Sequence, residues 1–196
     1  MAIRNDEELA AAVALVGEKL QEVQDYLGQD SAGRGKIRFP RGYIRPADHF
    51  RSRLRFILDR DARDNLAYAL MLGDVYRWLT NRTDLFGTAR EMIIKSGIVL
   101  AGSICETIAV EYTRGKIGNR NKFKVRCGRM CDDDIISDAL RKELEWLWDA
   151  RTSIHIFEVE GREYDRYVMS DYNRAILALR ALRDELDAHS DANAAF

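Results

Sequence analysis

Proline occurs at two positions only, Pro40 and Pro46, so across the rest of the 196 residues no side chain removes a backbone donor from a helix. Long helices are therefore permitted nearly everywhere, and the apolar residues are spaced to use them. Leu9, Val13, Val16, Leu20, Val23 and Leu27 recur at steps of four and three, the interval that lines one helical face. Asn5 followed by Glu8 fits an N-cap with a reciprocal carboxylate, and Gly28 supplies a stop. So narrow a stripe suits either a bundle helix or a self-association seam, and the sequence leaves both open.

Between Gly28 and Pro46 the chain changes character, with glycines, both prolines and the cations Arg34, Lys36, Arg38, Arg41 and Arg45. This reads as a loop with a short extended piece around Lys36 to Phe39. Arg51, Arg53 and Arg55 continue the charge, and Phe39, Tyr43, Phe50 and Phe56 are interleaved with it. Cations among aromatic faces suit a phosphate backbone and unstacked bases. A solvated basic loop that docks through its aromatics reads equally well. Pro46 suits a first helical position, with Phe50, Leu54 and Ile57 giving one face.

The polar run from Asp59 to Asn65 predicts a break or an exposed turn, after which Leu72, Val75, Tyr76 and Leu79 carry a further helix. Thr88 with Glu91 forms a second capping box ahead of the longest stripe, Ile94, Ile98, Ala101, Cys105, Ile108 and Tyr112. That helix is expected at the centre, and its small residues Gly97, Ala101, Gly102 and Ser103 let a neighbour approach closely. Lys95 and Glu106 interrupt its apolar run, which reads as too polar to span a bilayer. Glu106 is either a surface residue at the stripe's edge or a buried carboxylate in need of a partner, with Arg151 one candidate.

A second basic block runs from Arg114 to Arg129 and contains Arg120, Lys122, Lys124 and Arg126 but no acid. Asp132, Asp133 and Asp134 follow it and suit an N-terminal cap better than a metal site, since no ligand cluster accompanies them. Cys105, Cys127 and Cys131 are odd in number and lack zinc-ligand companions, so no disulfide framework, metal or other cofactor is expected. The first eight residues show no apolar run after a basic one, so no secretory signal is read there, the expected location is the cytoplasm and no membrane partner is expected. Beyond residue 156, Phe157 to Tyr164 alternates briefly, Ser170 can cap a final helix facing inward through Tyr172, Ile176, Leu179, Leu182 and Leu186, and the tail from Ala188 reads as frayed.

Chemistry concentrates in one place. Leu140, Leu144 and Trp148 lead at steps of three and four to Arg151 and His155, which stand at i and i+4 on what reads as an inner face. A histidine that titrates near neutral pH and a forked phosphate ligand are the minimum set for RNA cleavage without a metal. The same two residues also suit a helix C-terminus, where cations complement the dipole. P-loop, dinucleotide-fingerprint and nucleophile-elbow patterns are all missing.

The helix order from Thr88 to Leu186 and the segment Trp148-Asp149-Ala150-Arg151-Thr152-Ser153-Ile154-His155 resemble the HEPN superfamily of helical nucleic-acid proteins, with the gap between arginine and histidine shortened to three residues. The resemblance implies an all-α, HEPN-like four-helix core in a homodimer that brings two such motifs to a metal-independent ribonuclease site acting on RNA. Arg151 would stabilise phosphoryl charge, His155 would act as general acid or base, Thr152 would take the polar position, and Glu106 would support them. Arg34, Lys36, Arg38, Arg41, Arg120, Lys122, Lys124 and Arg126 would guide the nucleic acid. The expected organisation is residues 1–46 as an N-terminal helix and basic loop packing on the bundle, 47–190 as the bundle, and 191–196 as a tail. The alternative is a non-catalytic helical binding or assembly module of a mobile-element or toxin-antitoxin type of system, with Arg151 and His155 structural.

Overall fold

The computed structural model describes residues 2–29, 35–118, 122–152 and 166–194. Among the described residues there are seven α-helices and no strand. The chain divides into two compact units, Met1–Arg41 and Gly42–Phe196.

The first unit carries α1, Asp6–Leu27. Asn5 caps it by accepting from the Glu8 amide at 2.8 Å, whereas the Glu8 carboxylate turns to the Arg4 amide at 2.9 Å. Gly28, at φ 55°, closes the helix by donating to the Gln24 carbonyl. No residue of α1 is buried, and its stripe is open to solvent from Leu9 to Val23.

The second unit contains α2 (Ala47–Arg51), α3 (Arg60–Arg82), α4 (Gly87–Tyr112), α5 (Phe123–Asp132), α6 (Asp138–Thr152) and α7 (Met169–Ala194). The predicted stripe of α4 is the centre of this unit. Ile94, Ile98, Ala101, Cys105 and Ile108 are buried, and α4 packs against α3, α5, α6 and α7. Its small residues do admit close neighbours, because Gly97 faces the Tyr172 ring and Gly102 faces the Arg151 stem. By length and composition alone α4 could cross a membrane, despite Lys95 and Glu106, but half of its most apolar window is buried within the bundle. Each fully buried aliphatic side chain contributes about 1.5–3 kcal/mol, so this one helix supplies a large part of the driving force.

Several boundaries differ from the sequence-based expectation, each for a local reason. Pro46 is the extended residue before α2, not its first helical position. The polar run after Ile57 is the first turn of α3, because Asp59 accepts from the Ala62 amide at 2.9 Å and starts the helix there. The buried face of α3 holds Leu66, Ala67, Leu70 and Asp74, while Leu72 is 42% exposed. One of the buried positions on this face is thus held by an acid. Phe86, without a side-chain cap, precedes α4, so Thr88 lies inside that helix.

The triple aspartate ends α5 and does not begin α6. Asp134 adopts φ 55°, and the amides of Asp134 and Ile135 return to the carbonyls of Cys131 and Met130, the paired bonds of a Schellman close in which an aspartate tolerates the left-handed turn. Ser137 caps α6 instead, accepting from the Leu140 amide at 3.2 Å while its own hydroxyl and amide bind Glu185 of α7. Ser170 lies within α7, which continues through Ala194, so the predicted frayed tail is helical from Ala188 to that point. The predicted excursion from Phe157 to Tyr164 lies outside the described residues.

Candidate functional site

Helix α6 is amphipathic through Leu140, Leu144 and Leu147, all buried, and this face delivers Arg151 to the seam with α4. The Arg151 guanidinium donates to the Glu106 carboxylate, with the two side chains 26% and 36% exposed. The partner suggested for Glu106 is therefore the one it has. The guanidinium carbon also sits 5.0 Å from the Trp148 ring centre, and Trp148 in turn stacks on Phe123 of α5 at 5.0 Å and 24°. On the other side the stem lies against the Gly102 backbone. An ion pair, an aromatic face and a glycine thus hold one orientation of an arginine that remains partly open to solvent.

Thr152 directs its hydroxyl to the Trp148 and Asp149 carbonyls within its own helix, at 3.0 and 3.2 Å. It caps the helix end. His155, Arg34 and Arg120 lie outside the described residues.

The Phe123–Trp148 stack joins the start of α5 to the end of α6, which brings part of the second basic block to Arg151. Lys122 is exposed at the α5 N-cap, where no side chain satisfies the helix amides. Lys124 reaches across to Asp149 at 2.6 Å. That end of the bundle carries Lys122, Lys124, Arg151 and the positive end of the α5 dipole. Arg126, by contrast, is 1% exposed and binds the Thr113 hydroxyl and the Gly118 carbonyl. A polyanion cannot reach it, so Arg126 is a packing residue of the α4–α5 turn. Lys36, Arg38 and Arg41 are exposed in the first unit.

Other polar groups went unnoticed in the sequence. Asp74, 1% exposed, accepts from the Arg45 amide, Nε and Nη2 at 3.0, 2.9 and 2.6 Å, and this contact raises the arginine's affinity for its proton. Its one sequence signal was an acid four residues beyond Leu70 on a buried face. Tyr112 and His189 share a hydrogen bond of 2.6 Å between α4 and α7, and nothing in their separation along the chain announced it. Burial pushes the thiols of Cys105 and Cys127 up, the latter to about 12, so neither is a nucleophile. Among the described residues no group of three His, Cys, Asp or Glu could hold a metal ion.

No protein-family model, curated protein or solved structure matches this chain.

Proposed function

We propose that the chain is a HEPN-like nucleic-acid-binding protein that acts on RNA as a homodimer, with metal-independent cleavage at Arg151 and His155. The observation that carries this reading is the convergence of Lys122, Lys124 and an oriented Arg151 at one end of the bundle. A phosphodiester there meets a helix amide terminus, two ammonium groups and a guanidinium fork. Glu106 restricts Arg151 to one geometry, which favours a phosphoryl oxygen placed in a fixed position over a diffuse cationic surface.

In this reading the ribose 2′-oxygen attacks the adjacent phosphorus and the 5′-oxygen leaves, giving a 2′,3′-cyclic phosphate and a 5′-hydroxyl end. His155 takes the proton from the nucleophile or returns one to the leaving oxygen, and Arg151 stabilises the charge that develops on phosphorus-bound oxygen. The test is incubation of the protein with RNA in EDTA beside His155→Ala and Arg151→Ala variants. Cleavage by the wild type and loss in both variants supports the reading, and equal inertness of all three removes the catalytic part of it.

A second reading rests on α1, whose stripe from Leu9 to Val23 is exposed. It makes the protein a non-catalytic binding or assembly module, of the kind found in mobile-element or toxin-antitoxin systems, that self-associates through that seam. Light scattering of the full chain against a Val13→Glu/Leu20→Glu variant separates the two. An oligomer abolished by these substitutions supports α1 as the contact, and an unchanged mass places it elsewhere.

A further inference from the structure

Helices α3, α4 and α7 and the α2 segment enclose a cavity of about 230 Å3 that shares no residue with the Arg151 face. Its wall is apolar, including Phe50, Leu100, Ile104 and Leu179. Its polar side is strongly cationic, with Arg45, Arg53, Arg77, Arg180 and Arg183 against Asp74 and Asp184, an excess of three positive charges. Asp74 is occupied by Arg45 and stands 3.9 Å from Arg77. Arg53, Arg180 and Arg183 have no ion-pair partner among the described residues.

Two of the lining groups are buried donors without an acceptor, the Tyr172 hydroxyl and Arg183 Nε. Tyr172 is 2% exposed, and its burial pushes the phenol up to about 12, so it remains a donor at neutral pH. Burial pushes the Arg183 value down, and the neighbouring Arg53, Arg45 and Arg180 push in the same direction while Asp184 opposes them. Buried donors left unpaired destabilise the fold, and uncompensated like charges add to that. An anion with several acceptor oxygens removes both penalties at once.

We propose that this cavity binds a small phosphomonoester, its dianionic head accepting from Tyr172 and Arg183 and its compact apolar body lying against Phe50, Leu100 and Ile104. The exposed Arg53 and Arg180 guide the head inward. A phosphomonoester fits the charge excess better than a carboxylate, since it brings close to two charges near neutral pH and three oxygens for converging donors. The apolar wall gives no reason to prefer bare phosphate.

The experiment is calorimetric titration of the full chain with phenyl phosphate in about 0.15 M salt, where loose surface attraction is screened, beside inorganic phosphate and benzyl alcohol. Saturable one-to-one binding of phenyl phosphate, tighter than either comparator, is expected. Tyr172→Phe and Arg183→Gln each weaken it roughly tenfold or more. Arg53→Ala, at an exposed position, weakens it with the fold intact and decides the matter if Arg183→Gln does not fold. Absence of saturable binding, equal affinity for inorganic phosphate, or affinity unchanged in Tyr172→Phe and Arg53→Ala overturns the assignment.

Discussion

Arg151 of α6 and Glu106 of α4 are ion-paired beside the backbone of Gly102, where a Cβ would come within 3.0 Å of the arginine Cδ and 3.3 Å of its Cβ. Gly102→Ala gains about 1 kcal/mol of helix propensity, and the half-exposed pair it disturbs contributes at most about 1 kcal/mol. The two nearly cancel, so the urea midpoint should stay close to wild type. The arginine stem must still move by a few tenths of an ångström, and RNA affinity should fall. A variant that loses stability instead, with unchanged RNA affinity, would show that the glycine serves packing alone.

Gly97→Ala should behave differently although it lies on the same helix. Its Cβ would fall 2.4 Å from Cε2 and 2.9 Å from Cδ2 of the buried Tyr172 ring. Overpacking of this kind costs about 1–3 kcal/mol, more than the helix propensity returns. Thermal unfolding should show the loss, and it should shrink in a Gly97→Ala/Tyr172→Leu double variant, because the two sites are in contact.

The cations of the second basic block should separate by location. Lys122→Ala and Lys124→Ala should weaken RNA binding and lower its salt dependence, each by about one phosphate contact. Arg126→Met should leave RNA binding alone. Arg126 is buried and bonded to neutral oxygens, so an apolar replacement of similar length should leave stability unchanged or raise it. Arg126→Ala should cost about 2–5 kcal/mol through the cavity it opens. Equal loss of RNA affinity in all three lysine and methionine variants would refute this division.

Much of the fold could be read from periodicity because a long apolar stripe has few ways to be buried. The α4 stripe, the Asn5 cap and the inward face of α7 all followed from local spacing, and Arg151 stood as one candidate partner for a carboxylate beside such a stripe, with a surface position for Glu106 also open. What spacing does not reveal is which polar side chains meet. Asp74 reads as an interruption of α3 until Arg45, from a segment 29 residues earlier, is seen to bind it three times. The arginines of the α3–α4–α7 cavity are dispersed from Arg45 to Arg183, and only packing gathers them. Asp134 shows the same limit for the backbone, since three adjacent acids fit a helix start as well as a close until the φ of 55° selects the second.

The Arg45–Asp74 pair should give unequal losses when cut from its two sides. Asp74 is 2% exposed at its side chain and Arg45 is 37% exposed. Arg45→Ala leaves the buried carboxylate with the amide of residue 45 at 3.0 Å and Arg77 at 3.9 Å but without its close guanidinium, and it should cost about 3–5 kcal/mol. Asp74→Ala leaves an arginine that can turn to water, so its cost should be lower, about 1–3 kcal/mol for the lost bonds. Urea titration of both variants measures the asymmetry, and a reversal of the order would mean that the aspartate is better hydrated than its burial implies.

His49 should make stability depend on mildly acidic pH. Its Nε2 is buried without a hydrogen-bond partner, and its ring meets Phe50 edge-on at 5.3 Å. Burial holds its pKa below the ordinary 6.5, with Arg45, Arg53 and Arg183 pushing the same way and Asp74 opposing. The unfolded chain therefore takes up the proton at a higher pH than the folded one. Stability from the neutral ring is complete above the ordinary value and is lost as pH falls through the folded value. The depressed carboxylates Asp138, held by Lys142 and Arg141, and Glu143, held by Arg174, lose their contribution only in more acidic solution. Melting temperature should thus decline between about pH 7 and pH 5 in the wild type, and His49→Gln should flatten that decline. Arg183→Gln should raise the His49 titration midpoint seen by NMR, since one of the cations opposing its protonation is gone. A midpoint that does not move would place Arg183 too far from the ring to act on it.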